Sequence, residues 1–319
     1  MKQVPITSID GIKIGHAQNI AGGTGCTVIL CEQGAVAGVD VRGGGPASRE
    51  TDLLKPVNLV EQIHAVMLSG GSAYGLDACS GAMRWLEEKG VGFDVGIGVV
   101  PIVCGASLFD LEIGDPKCRP NQEMGYSACQ NASEKMPAEG NVGAGTGATV
   151  GKFLGVERMM KAGLGCYAVQ LGELIVGAIV AVNALGDIID IDSGQPLAGL
   201  LNMEKTSILG TEAAMFAEYD KDRNVFSGNT TLGCVLTNAK LTKSQAARLA
   251  VVAHNGYARA IRPVHTMADG DIIFTMATGA VQAMPDAVGA LASEVMARAI
   301  KRAALAAKPA YGLLTASDL

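Results

Sequence analysis

The apolar positions of this chain change period along its length, and each change marks an element. Two short apolar runs, CTVILC (Cys26–Cys31) and AVAGVD (Ala35–Asp40), flank Gln33-Gly34. Apolar runs broken by a Gly-containing turn predict a β-hairpin. Val57–His64 predicts a helix and Ala65–Leu68 a strand. The segment Ser69–Gly90 opens as a Gly-rich loop. It then sets Leu76, Cys79, Met83 and Leu86 at helical spacing, with Gly90 as the stop. Asp110–Val142 is richer in Pro, Asn and charge and predicts loop with one short helix.

The run LIVGAIVAVNALGD (Leu174–Asp187) is strand-like in its β-branched content. Ser193–Asn229 is the least regular stretch, with a helical piece at Glu212–Tyr219 followed by polar residues. From Thr230 the pattern is clean. Thr230–Leu236 predicts a strand, and Thr242–Ile261 a helix with Thr242 and Gln245 at capping-box spacing. Asp271–Thr278 predicts a strand, and Asp286–Ala306 a helix after Pro285. This β-α-β-α order finishes a sheet.

Composition adds limits. The chain has 319 residues, of which 49% are hydrophobic and 18% charged, with 42 Gly. That composition suits an α/β interior whose strands are covered on both faces, in a single domain over 1–319. The low charged fraction predicts surface hidden in a homo-oligomer. The net charge of −6 and the lack of a basic stretch argue against nucleic acid or an anionic membrane as partner. No apolar run reaches the ~18 residues of a membrane span. The opening MKQVPITSIDGIKIGH has no leader pattern, so a cytoplasmic location is expected. The eight Cys are scattered without a C-x-x-C pair, which fits buried thiols and neither a zinc site nor a disulfide framework. No metal and no cofactor is expected.

Several chemistries are excluded by their missing motifs. The Gly-rich loops at 43–45, 69–75 and 143–147 contain no phosphate-binding P-loop. GAGTGATVG only approximates a dinucleotide fingerprint, and Val150–Leu154 reads as strand, so tight turns are the better account. The four His are His16, His64, His254 and His265, and no G-x-S-x-G elbow occurs. His64 and His254 fall on predicted helices beside apolar residues, which disfavours a His-based Ser or Cys enzyme. An amide hydrolase without His can use an N-terminal Thr, Ser or Cys whose own α-amine, with a pKa near ~8, is the base. Making that amine inside a chain requires self-cleavage. SGN-TTLGCVL fits: Gly228 and Asn229 tolerate unusual backbone, and Thr230 begins a strand. On the residues alone, an Asn-Thr pair at a strand start serves equally well as plain structure.

Here the chain resembles the DmpA-type aminopeptidases, a family that includes β-aminopeptidases and nylon-oligomer hydrolases. The resemblance covers nearly the whole length. It is carried by RGGGPASRETDLL (42–54), IHAVMLSGGSAYGLDACSGAMRWLEEKG (63–90), VPIV and SLFDLEIGD (100–103 and 107–115), GAGTGATVGK (143–152), AIVAVNALGD (178–187), GNTTLGCVLTNAKL (228–241) and DGDIIFTMATG (269–279). It implies a four-layer αββα sandwich, shared in outline with ornithine acetyltransferase. It also implies self-cleavage between Asn229 and Thr230 into a 1–229 large chain and a 230–319 small chain. The implied catalytic set is Thr230 as nucleophile, Asn183 as oxyanion donor, Lys152 beside the amine, and Asp269 and Asp271 orienting the nucleophile and its ammonium form. Each residue has a structural alternative: Lys152 as a strand end, Asn183 as a turn former, and the Asp pair around Gly270 as an ordinary turn.

The implied activity is hydrolysis of small peptides or amino-amides through an acyl-Thr230 intermediate, in a homo-oligomer, first guess a tetramer. An acyltransferase of the same fold and a self-processed ligand-binding protein are the alternatives. The chain departs from the family at Cys104-Gly105-Ala106, where Pro-Ala-Ala is usual near the substrate side. It also has Thr230 and Asp269 where many members carry Ser.

Overall fold

The computed structural model describes residues 1–221 and 228–319. Ten strands of the described residues form one continuous sheet. They are β1 (Lys2–Gln3), β2 (Lys13–Asn19), β3 (Thr24–Val41), β4 (Ser48–Arg49), β5 (Gln62–Ser69), β6 (Val103–Ser107), β7 (Leu164–Leu171), β8 (Leu174–Asn183), β9 (Thr230–Ala239) and β10 (Ile272–Val281). Their order is β1-β7-β8-β9-β10-β3-β5-β6-β4, with β2 added on β3. The helices are α1 (Ala78–Glu87), α2 (Gln122–Gln130), α3 (Thr211–Ala217), α4 (Lys243–Ala260) and α5 (Pro285–Ala306).

β3 turns this one ladder into two layers. Its first part, Thr24–Leu30, pairs with β2, and its last part, Val36–Val41, pairs with β10. Its register against β5 shifts between Leu30 and Ala35. The two halves of the sheet lie face to face, and the core divides accordingly into three clusters. In the first, α4 and α5 cover Val176, Val180, Val235 and Ile273. In the second, Ile29, Leu68 and Cys104 of one half meet Ile179, Leu232, Cys234 and Phe274 of the other. In the third, Ala78 and Ala82 of α1 and Ala128 of α2 cover Val28, Met67 and Val103. Three buried interfaces separate four layers, the αββα sandwich that the resemblance implied. Every residue of β8 and β9 is buried, as expected of strands covered on both faces.

Two predicted elements are corrected. Cys26–Asp40 is one strand and not a hairpin. Gly34, at φ +82°, takes up the register shift without reversing the chain, because the two runs find different partners. Val57–His64 is not a helix. Val57 and Leu59 are exposed, and residues 62–64 join β5, where Gln62 and Ile63 pair with Val36 and Ala35. The capping box of α4 is present: Gln245 N donates to Thr242 Oγ1 (3.2 Å) and Thr242 N to Gln245 Oε1 (2.8 Å). Cys104-Gly105-Ala106 lies inside β6, with Cys104 and Ala106 in the core between the sheets.

The helix layer sits close to the sheet because β3 has Gly38 under α4. A Cβ there would lie 2.3 Å from Ala247 N, a backbone atom that cannot move aside alone. Gly38→Ala is expected to destabilise the fold by about 1–3 kcal/mol, the usual range for overpacking. A lowered urea midpoint would register it.

Candidate active site

The site is assembled by strand register. Asn183, the last residue of β8, lies opposite Thr230, the first of β9. β10 runs parallel to β9 from the same end, with Ile272 beside Leu232. The end of β8 and the starts of β9 and β10 therefore meet, bringing Asn183, Thr230 and Asp269-Gly270-Asp271 together. Side chains alternate along a strand. Leu232, Cys234 and Leu236 face the core between the sheets and Val235 faces the helices, so Thr230 points between the sheets and Thr231 toward the helix layer.

Thr230 is buried, and its Oγ1 contacts the carbonyl oxygen of Asn229. Lys152, also buried, reaches the same place after the 143–147 turn. Its Nζ donates to Asn183 Oδ1 (2.8 Å) and to Gly228 O (3.3 Å). Asn183 Nδ2 donates to Phe109 O (2.8 Å) and Gly228 O (3.5 Å), while its Oδ1 also accepts from Thr149 N (3.0 Å). Lys152 and Asn183 thus grip the carbonyl one residue before the Asn229–Thr230 bond.

The two aspartates hold backbone. Asp269 accepts from Thr266 N (2.9 Å), Thr266 Oγ1 (2.6 Å) and Leu185 N (3.4 Å). Asp271 accepts from Thr231 N (2.8 Å), His265 N (3.1 Å) and His265 Nδ1 (2.9 Å). These carboxylates fix the segments on either side of Thr230, and their hydrogen bonds go to these groups and not to Thr230 Oγ1.

Burial sets the electrostatics. It pushes the Lys152 ammonium down to about 8, against the pull of Glu112, Asp269 and Asp110. It raises Asp269 above the usual carboxylate range, helped by the Asp271 carboxylate. It raises Asp110 to about 6, although Gly71 N (2.6 Å) and Thr24 Oγ1 (2.7 Å) donate to it. A buried cation between buried acids is the arrangement that tunes protonation near neutral pH.

Residue types did not reveal everything here. Phe109 O and Thr149 N act through the backbone, which any residue would supply. Asp110 lies in the SLFDLEIGD stretch but has no motif of its own. His265 pairs with Asp271, a contact visible only in three dimensions. The 143–147 turn is a structural one. The fully buried Lys161 Nζ donates to Gly145 O (2.9 Å), Ala148 O (2.9 Å) and Ala162 O (2.5 Å), closing the turn from inside. Among the described residues no group of three His, Cys, Asp or Glu side chains could hold a metal ion. No helix among them is long and apolar enough to cross a membrane.

Known proteins share this frame. The L-aminopeptidase D-Ala-esterase/amidase of Ochrobactrum anthropi, described as a variant of the Ntn hydrolase fold, superposes with a TM-score of 0.72 at 19% identity. The match covers 98% of this chain and 90% of that one, and it defines the fold as that of the Ntn-hydrolase aminopeptidases. The sequence matches Peptidase family S58 over residues 5–316, and the chain belongs to that family. A protein of Mycobacterium leprae described as an uncharacterized aminopeptidase is 41% identical over 97% of this chain and 92% of its own length. A 6-aminohexanoate-oligomer endohydrolase of an Agromyces species is 30% identical over 92% of this chain and 84% of its own. The protein is accordingly an amide hydrolase of the aminopeptidase type.

The depressed Lys152 has a stability consequence. The folded state releases this proton near pH 8, whereas the unfolded chain keeps it to 10.5. Its burial therefore opposes folding in full below pH 8, and the penalty fades as pH rises from 8 toward 10.5. In a Thr230→Ala background, the urea midpoint with Lys152 should rise between pH 8 and 10 relative to Lys152→Met. A constant difference would contradict it.

Proposed function

We propose that the chain cleaves itself between Asn229 and Thr230, and that the released Thr230 hydrolyses small amides bearing a free amino group. The observation that carries this reading is the Thr230 hydroxyl set against the Asn229 carbonyl at the head of a buried strand. Thr230 Oγ adds to that carbonyl carbon and its proton passes to the Thr230 nitrogen. The C–N bond breaks to leave an ester, which water opens. The new α-amine then serves as base for the same oxygen. Lys152 beside that amine lowers its proton affinity by like-charge repulsion. Asn183 and Lys152, freed of Gly228, donate to the substrate. Asp269 and Asp271 orient the nucleophile by fixing its neighbours. The relatives' names support an amide of an amino acid as substrate, or one of a longer amino acid such as 6-aminohexanoate. The processed protomers form a cytoplasmic homo-oligomer, a tetramer being the first expectation.

Intact-mass analysis tests the cut. Wild-type protein should yield a small fragment beginning Thr-Thr-Leu-Gly. Thr230→Ala should stay whole and inactive, while Thr230→Ser retains part of both activities. Thr231→Ala should still cleave at the same bond, because its side chain faces the helix layer. Cleavage in Thr230→Ala, or its loss in Thr231→Ala alone, would move the nucleophile.

The assembly is open to a separate measurement. Light scattering should give a multiple of the processed protomer mass at micromolar concentration, and a single protomer would refute the oligomer.

A further inference from the structure

The segment 268–270 does more than carry Asp269. It forms a short parallel bridge with the chain just before the cut, pairing Asn229 with Asp269. Asn229 N donates to Ala268 O (3.3 Å), and Gly270 N donates to Asn229 O (2.7 Å). The carbonyl under attack is thus held by a backbone N–H. Asn183 and Lys152 grip a different oxygen, that of Gly228.

This N–H is fixed in advance. On the far side of the segment, Gly45 N donates to Asp269 O (2.8 Å) and Arg42 N to Asp271 O (2.9 Å). From behind, the Asp269 carboxylate ties down Thr266 and Leu185. Residue 270 has to be Gly for space: a Cβ would lie 2.6 Å from Thr230 Oγ1 and 2.8 Å from Gly45 O. A rigid donor aimed at the oxygen that gains charge is what stabilises an oxyanion.

We infer that the 268–270 edge is the acyl subsite: Gly270 N–H holds the oxyanion, and Ala268 O receives the amino group of the acyl residue. The inference rests on Thr230 being the nucleophile. One oxygen then attacks both its own chain and the substrate, so both carbonyls come within its reach on the same side, the first bonded to Thr230 N and the second beside the freed amine. Asn229 marks that side in the uncleaved chain. Its backbone N and O are spaced as the amine and carbonyl of an α-amino acid, and a substrate takes the edge once Asn229 leaves. In each reaction the Thr230 Oγ–C bond forms as the amide C–N bond breaks. The hydroxyl proton ends on the departing nitrogen, and the transient negative charge rests on the oxygen facing Gly270 N–H. The edge itself offers backbone groups only, Ala268 O accepting from the Asn229 side-chain Nδ2 (3.4 Å) as well as from its backbone N, so it selects an α-amine and carbonyl of the right spacing.

The test replaces the N–H without adding a Cβ. Glycolic acid is installed at position 270 by codon reassignment in cell-free translation, which exchanges N–H for O. Glycolic acid at Gly172, in the exposed turn between β7 and β8, is the handling control. Wild type and the Gly172 variant should cleave alike, and Gly270→glycolate should cleave roughly 100-fold to 1,000-fold more slowly by intact mass. Equal rates in all three overturn the oxyanion role. A wild-type chain that never cleaves removes the nucleophile reading itself, and this inference with it. Circular dichroism checks folding. If Gly270→glycolate does not fold, substrates decide, using processed wild-type enzyme with leucine anilide, its α-hydroxy analogue and its des-amino analogue. The des-amino compound should lose roughly tenfold to 100-fold in kcat/KM, leaving Ala268 O unpaired, while the α-hydroxy compound keeps most of the difference. Equal losses for both analogues, or none for either, overturn the assignment of Ala268 O.

Discussion

The site depends on the start of β9 being held on both edges, by β8 from Thr230 and by β10 from Leu232. β8 fixes one edge through Asn183 opposite Thr230, and β10 fixes the other in parallel register. Thr231 N, next along, is tied to the Asp271 carboxylate. With the strand so clamped, the alternation of side chains leaves no freedom over which threonine faces the inner layer. The direction of the Thr230 side chain is set by backbone pairing, and the pairing is set by the apolar faces of Leu232, Cys234 and Val235, which bury correctly in one register only.

That clamp also explains how two buried lysines differ. Lys161 spends its ammonium on three carbonyls of its own neighbourhood, and its pKa falls to about 7 under burial. Its work ends at closing a turn. Lys152 meets one side-chain oxygen and one carbonyl, and that carbonyl belongs to Gly228, next to the bond where the chain is proposed to part. A cut there would free a donor that is already desolvated. A buried donor that loses one of its two acceptors is left under-satisfied, which would give the site a drive to bind a replacement carbonyl.

Legibility in the sequence followed the range of the interactions involved. α1, α4, α5, β9 and the start of β10 were readable because their patterning is local and their caps have residue signatures, Thr242 with Gln245 above all. β3 was misread because nothing near Gly34 says whether the second run folds back on the first or continues to another partner. Val57–His64 was misread because the edge of β3 recruits Gln62 and Ile63, a preference no local period records. The strands β2 and β7 were not foreseen for the same reason. At the site, the residues alone suggested Thr230 without deciding it. Asn183, Lys152, Asp269 and Asp271 came from the resemblance, and the fold gathers all four at one end of the sandwich. What escaped altogether were backbone groups, Gly270 N and Ala268 O among them, since a main-chain donor carries no letter in the sequence.

A chain that cuts itself, as proposed for this one, needs a site complete before the cut, because the first reaction precedes any substrate. The buried Lys152, Asp110 and Asp269 meet that condition only if their unfavourable burial is offset while the chain is whole. In this structure the offset comes from fixed neighbours: Gly71 N and Thr24 Oγ1 on Asp110, Thr266 N, Thr266 Oγ1 and Leu185 N on Asp269, and Asn183 Oδ1 and Gly228 O on Lys152. Of these partners, only Gly228 lies on the segment that cleavage would release. The acids stay anchored and Lys152 keeps Asn183 Oδ1, while Lys152 Nζ and Asn183 Nδ2 each lose the Gly228 carbonyl. The same geometry would thus confine the change after a cut to the two donors that hold the Gly228 carbonyl, Lys152 Nζ and Asn183 Nδ2.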